Sequence, residues 1–185
     1  MGMHDIITFE YLDVGANDPV RGNDFWRAYL NGNSGICIDP LPYLSRRWKK
    51  RPRDYFINGA LLFTESLTTD LYVHSEDRLS SLVPTSNPPV KVPVVHTSDF
   101  LSRLSGNPIV VKIDIEGGDV EIAKLLICLI PQITLLIVET FEGLSESNQE
   151  ISDFEEFIAK DFKKCAFTPL NTFYFNRKIW KFNSS

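Results

Sequence analysis

The chain is short of several features that would narrow its role at once. Its 185 residues include only three cysteines, Cys37, Cys128 and Cys165, an odd set with no metal-ligand spacing. That argues against a disulfide framework and a thiolate metal site. Cys37 and Cys128 stand in apolar runs and read as buried, reduced thiols, which favours a cytoplasmic protein. Positive charge is also scarce: 19 Lys and Arg against 24 Asp and Glu leave a formal charge of −5. A protein whose main partner is nucleic acid needs the opposite balance. The longest apolar run, Leu125 to Ile130, falls far short of the ~20 residues that span a bilayer. Met1-Gly2-Met3-His4-Asp5 has no basic region leading into an apolar core, so it does not read as a secretion signal. There is no internal repeat and no low-complexity segment. What is left, at 43% hydrophobic and 23% charged residues, is the composition of one globular domain over 1–185 with a full core.

The apolar segments that are present end in a consistent way. Thr8 to Val14 reads as a first strand running into Gly15-Ala16-Asn17, and Ile36 to Asp39 as a second. Ile109 to Ile115 is rich in β-branched residues and reads as the strongest strand, with Asp114, Glu116 and Gly117 at its end. Ile133 to Thr140 is another buried strand and closes on Glu139. Between them the pattern predicts helices: Phe25 to Leu30 after Asn23-Asp24, Leu44 to Lys50, Gly118 to Ile130, and Gln149 to Lys163. Tyr55 to Phe63 reads as a strand interrupted at Asn58-Gly59. Leu71 to Val73 and Val90 to Val95 are extended and suggest a small antiparallel excursion. At the C-terminal end, Phe173 and Phe175, then Asn176-Arg177-Lys178, then Ile179, Trp180 and Phe182 read as a closing hairpin. The expected fold is α/β: one doubly wound, mostly parallel, Rossmann-like sheet with an antiparallel C-terminal pair.

Strands that end in a glycine turn or an acid are how α/β proteins hold adenosine-containing cofactors. Gly15 permits a sharp turn and close approach, Asp13 can face an amino group, and Asn17 tolerates left-handed backbone. The second and third glycines of a G-x-G-x-x-G turn are missing. This counts against a dinucleotide and suits a cofactor without phosphates, such as S-adenosylmethionine (SAM). Asp39 lies 24 residues after Gly15, close to the spacing of a ribose-binding acid; capping of the following loop is the plainer alternative. Asp114 and Glu116 project to one face if the chain is extended, and Glu139 ends the next strand. Three roles are open to this acid cluster: a base, a holder of a cationic cofactor, or a divalent metal site. Helix-dipole complementarity explains Asp119 and Glu121 without any ligand. The basic run Arg46 to Arg53 reads first as a solvated helix face, with a phosphorylated substrate as the functional alternative. His4, His74 and His96 read as surface or edge residues.

Taken together, Tyr11-Leu12-Asp13-Val14-Gly15-Ala16-Asn17-Asp18-Pro19, Gly35-Ile36-Cys37-Ile38-Asp39-Pro40, Arg51-Pro52 with Asn58-Gly59-Ala60, Val111-Lys112-Ile113-Asp114-Ile115-Glu116-Gly117 and Ile137-Val138-Glu139 resemble the FkbM-like, SAM-dependent methyltransferases. The resemblance implies a seven-stranded class I methyltransferase fold whose last strand is antiparallel, and O-methyl transfer onto a sugar, a nucleotide-linked sugar or another hydroxylated metabolite. By position it places Asp13, Gly15 and Asn17 at the methionine end, Asp39 on the ribose, Asn58 to Ala60 near the adenine, and Asp114 and Glu116 at the reacting centre, with Glu139 in support. The chain departs from the pattern at Asp119, where Glu is commoner, at Gly32-Asn33-Ser34-Gly35, and in lacking the helices that commonly precede the first strand. The rival expectations are a nicotinamide-dependent oxidoreductase on a similar sheet and a non-catalytic methyltransferase-like subunit; either enzyme reading is compatible with a homo-oligomer.

Overall fold

The computed structural model of the chain describes residues 8–74, 80–140 and 147–179. Its centre is a seven-stranded sheet of β1 (Glu10–Val14), β2 (Ser34–Asp39), β3 (Tyr55–Asn58), β7 (Ile109–Ile113), β8 (Ile133–Glu139), β9 (Phe162–Phe167) and β10 (Asn171–Asn176). The spatial order is β3-β2-β1-β7-β8-β10-β9. β1 pairs in parallel with both β2 and β7, β2 with β3, and β7 with β8; β10 runs antiparallel to β8 and β9. A three-stranded sheet of β4 (Ala60–Leu61), β5 (Thr68–Tyr72) and β6 (Pro89–Val95) stands beside it, with β5 antiparallel and β4 parallel to β6. The helices are α1 (Trp26–Leu30), α2 (Leu44–Trp48), α3 (Asp119–Leu129) and α4 (Asn148–Ile158). No described helix is long and apolar enough to cross a membrane.

Strand periodicity divides the core in two. Leu12, Val14, Ile36, Ile38, Val111, Ile113, Leu136 and Val138 point to one face and pack in one cluster with α3 and α4 residues such as Val120, Leu126 and Phe154. Tyr11 and Cys37 point to the other face, where Phe25, Leu44 and Trp48 cover them. A period of two therefore puts Asp13 on the face of Tyr11, and Asp39 on that of Cys37. Lys112 is the register partner of both Asp13 and Ile137, so it and Asp114 fall on this same face, as does Glu139. The carboxyl ends of the parallel strands thus collect charge on one side only. Strand order reverses between β1 and β7, and that switch point opens a crevice above them.

Several expectations are corrected. The hairpin is formed by β9 and β10, upstream of the predicted one, and Trp180 and Phe182 lie outside the described residues. The helix predicted to run to Lys163 stops at Ile158, because Phe162 is needed in the sheet core, where it is buried. Cys128 is exposed, since the helix turns it away from the core that Leu126 fills; Cys37 is buried as expected. The interruption at Asn58-Gly59 is real and separates β3 from β4. A Cβ at Gly59 would come within 2.8 Å of Pro93 O, so glycine lets β6 pass close by.

Candidate functional site

A cavity of about 890 Å³ opens at the switch point. Its wall includes Asp13, Gly15, Asn17, Asp39, Ala60, Asp114, Glu116 and Glu139, so nearly every residue singled out from the sequence is brought together there. Asn58 is the exception. Its Nδ2 donates to the carbonyls of Asp39 and Leu41 at 2.8 and 2.9 Å, so it braces the strand end from behind while Gly59, Ala60 and Leu61 form the wall.

The turn after β1 is tied down from within. Gly15 has φ +81, and a Cβ there would lie 1.7 Å from the Asp114 carbonyl oxygen, so only glycine permits the ends of β1 and β7 to approach. The amides of Gly15 and Ala16 both donate to Ile38 O, and that of Asn17 donates to Asp39 Oδ2 at 2.8 Å. The amides of Val20 and Arg21 donate to Asp18 Oδ1. Asn17 adopts the expected left-handed backbone, φ 46, and its carbonyl accepts from Trp48 Nε1 at 2.9 Å. Asp39 also accepts from the Leu41 amide through Oδ1 at 2.9 Å. It is therefore a loop clamp as well as a wall residue. Burial pushes its carboxyl up to about 6 against these two hydrogen bonds.

Charge is concentrated at the other end of the cavity. Asp13 is buried; Oδ2 accepts from Asn23 Nδ2 at 2.8 Å, while Oδ1 is buried without a hydrogen-bond partner among the described residues. Burial raises its carboxyl above the ordinary value, with Lys112 and Asn23 acting the other way. Lys112, which no sequence argument singled out, is buried beside it. Its Nζ lies 2.7 Å from Asp114 Oδ2 and 3.7 Å from Asp24 Oδ2. Burial would lower this ammonium, but the charges of Asp114 and Asp13 outweigh that and hold it above its ordinary value.

Asp114, Glu116 and Glu139 offer oxygens that all lie within 4.8 Å of one another. The expected extended geometry does not bring Glu116 there: β7 ends at Ile113, and Glu116 has a left-handed φ of 59. The loop is held by Asp119, which is fully buried and accepts from the amides of Ile115 and Gly117 at 2.9 and 3.1 Å. Asp119 is thus more than a dipole complement. Burial, then the charges of Asp114, Glu116 and Asp119, push Glu139 up to about 8. Its Oε2 is buried with no hydrogen-bond partner among the described residues. At neutral pH Glu139 is largely protonated and can donate or accept a proton. The oxygens are near enough to share a divalent cation, yet Lys112 already engages Asp114 and opposes further positive charge.

The basic run is not a uniform solvated face. Arg47 pairs with Asp18 at 2.9 Å on the cavity rim. Arg51 is fully buried: Nε to Asp54 Oδ2 at 2.5 Å, Nη1 to Pro19 O and Asn23 Oδ1, and Nη2 to the Tyr11 hydroxyl at 2.6 Å. Asp54 Oδ1 in turn accepts from Tyr11 and from the Gly35 amide. Arg51 therefore organises the cavity wall from below, and the signal for it was Pro52 and Asp54 beside an otherwise exposed basic segment. His96 caps a short turn, its amide donating to Asp99 at 2.8 Å, away from the cavity.

No protein-family model, curated protein or solved structure matches the chain.

Proposed function

We propose that the chain is a SAM-dependent methyltransferase of the class I, Rossmann-like kind, and within that class an O-methyltransferase of the FkbM-like type acting on a sugar or similar hydroxylated metabolite. The observation that carries this reading is the internal engagement of the first turn: the amides of Gly15, Ala16 and Asn17 are bonded to β2 and Asp39. A pyrophosphate needs such amides free. The cavity wall, with seven carboxyl groups against three cationic side chains, also favours a ligand with positive charge over a dinucleotide. Both points weigh against the nicotinamide reading. The switch point and the antiparallel last strand agree with the sheet that the resemblance implies.

When bound, SAM supplies a methyl group already activated as a sulfonium. The protein's task is then alignment and proton removal. Asp13 Oδ1 would accept from the ligand's ammonium, Asp39 would use its remaining lone pairs on the ribose hydroxyls, and Gly59 to Leu61 would pack on the adenine. Asp114, oriented by Lys112, is the base for the acceptor hydroxyl. Glu116 and Glu139 would sit around the same oxygen, Glu139 as a neutral hydrogen-bond donor. This arrangement needs no divalent metal, because Lys112 supplies positive charge.

Calorimetric titration with SAM, S-adenosylhomocysteine and NAD tests the reading. Heat from the two adenosyl ligands and none from NAD is expected, and tight binding of NAD alone would overturn it. Asp39→Ala should weaken adenosyl binding, and Asp114→Ala should abolish turnover with a smaller loss of affinity.

A further inference from the structure

The cavity extends past the acid cluster to the turn between β9 and β10, where Leu170 and Asn171 belong to its wall. The backbone of this turn is tied down. The Asn171 amide donates to Thr168 Oγ1 at 2.9 Å, its carbonyl accepts from the Thr168 amide at 2.8 Å, and the Leu170 carbonyl accepts from the Thr140 amide at 2.9 Å. The two side chains are not. Asn171 Oδ1 is buried with no hydrogen-bond partner, and its Nδ2 donates to none of the described residues. Leu170 is 52% exposed, an apolar side chain on the rim of a polar cavity. Asn171 is the register partner of Glu139 on the neighbouring antiparallel strand, so the two side chains share a face. An amide buried without partners costs free energy. The terminal torsion of an asparagine is soft, so this one can turn either edge into the cavity.

We propose that Leu170 and Asn171 form the acceptor subsite and select a vicinal diol, the Asn171 amide bridging two neighbouring hydroxyls while Leu170 packs on the C–H face of the ring that carries them. The inference rests on the methyltransferase reading and narrows its hydroxylated metabolite to a ring with adjacent hydroxyls, as in a pyranose or a cyclitol. A side-chain amide presents an acceptor and a donor side by side, and two gauche hydroxyls present a matching donor and acceptor. A lone hydroxyl would use only one of the pair. A carboxylate or phosphate would take Nδ2, leave Oδ1 unpaired and meet the negative charge of the acid cluster. Such a ring is polar at its edge and apolar on its face, which fits an unpaired amide beside an exposed leucine. Asn171 lies two strands from β7, on the side away from Asp13 and Asp39. The subsite therefore stays open when those residues hold the adenosyl ligand, and Asn171 orients a ring whose reacting hydroxyl goes to Asp114.

Magnetic-resonance titration tests the subsite with two probes that differ by one hydroxyl, cis-cyclohexane-1,2-diol and cyclohexanol. In the wild-type protein both should shift the Leu170 methyl signals, the diol at about tenfold lower concentration, as expected for an added hydrogen bond. The diol alone should shift the Asn171 side-chain amide. In Asn171→Ala the diol should lose its advantage while cyclohexanol binds as before; an advantage that survives the substitution would overturn the proposal. Equal binding of the two probes to the wild-type protein would also overturn it, as would tighter binding of the more apolar cyclohexanol or no saturable shift from either. Those measurements need no variant to fold. An Asn171 amide that follows the titration of Glu139 with pH and ignores the diol would count against it too, because the amide would then serve Glu139 alone. The titrations are run with and without S-adenosylhomocysteine. A protein that gives no heat with that ligand defeats the methyltransferase reading, an outcome read separately from the diol preference.

Discussion

Arg51 and Lys112 are both buried cations near the same cavity, one beneath its floor and one in its wall, and their surroundings differ completely. Every arm of the Arg51 guanidinium is used: Asp54, the Pro19 carbonyl, Asn23 and Tyr11 accept from it, and the rings of Tyr11, Tyr29 and Trp48 pack around it. Lys112 has one hydrogen bond and three carboxylates near it, one of them half-bonded. Burying polar groups is tolerated when they are fully paired. Arg51, with four of its five donors bonded and the Asp54 carboxylate beside it, comes close to that condition and belongs to the scaffold. The Lys112 wall does not meet it by itself, and the missing partner is best supplied by a ligand.

That contrast can be broken at several points. The largest effect is expected where scaffold and wall meet: Gly15→Val forces a side chain into the Asp114 carbonyl at positive φ and should cost more than about 4 kcal/mol, read as loss of a cooperative urea transition. Next, Arg51→Met leaves Asp54 buried without its counter-ion and should cost about 3–5 kcal/mol. Adding Asp54→Leu should recover part of that loss in thermal denaturation; no recovery would mean that the Tyr11 and Pro19 contacts matter more than the pair. Asp13→Asn is the opposite case. It removes a raised, half-bonded carboxylate, so stability should change by less than about 1 kcal/mol or rise, while adenosyl-ligand affinity falls about tenfold. A large stability loss would make Asp13 scaffold after all.

The remaining effect concerns pH. Glu139 is raised to about 8 in the folded protein, against about 4.3 in an unfolded chain. Between these values the native state holds more protons than the unfolded state, so stability should fall as pH rises through this window. Asp39, raised to about 6, contributes in the same direction over the lower part of it. Glu139→Gln should flatten the dependence of the melting temperature between pH 6 and 8. An unchanged slope there would show that Glu139 is not the titrating group.

Much of this was legible in the chain. Runs such as Ile109 to Ile113 and Ile133 to Val138 are β-branched or apolar at every position but Lys112 and read as central strands; their terminal acids were visible directly. The loss of the later glycines after Gly15 indicated a turn without a phosphate cradle, and the bonded amides of Gly15, Ala16 and Asn17 give the physical reason. Lys112 was passed over because a lysine inside an apolar strand has no local signature; its importance comes from Asp13 and Asp114 on either side. Asp119 and Arg51 were read from their neighbours in sequence, as dipole and surface charge. Their real partners are set by how the chain folds back on itself. The C-terminal hairpin was misplaced because alternation continues on both sides of Asn171–Asn176, and pairing is chosen by core packing, not by local pattern.

The amino-acid order alone determined which segments become strands, where each one stops, and that acids gather at one edge of the sheet, because side-chain period and backbone stereochemistry are local properties. Which of those acids find donors and which are left waiting was decided only by tertiary structure. Hydrogen-bond satisfaction depends on groups from distant strands meeting within about 3 Å, and no local pattern encodes that meeting.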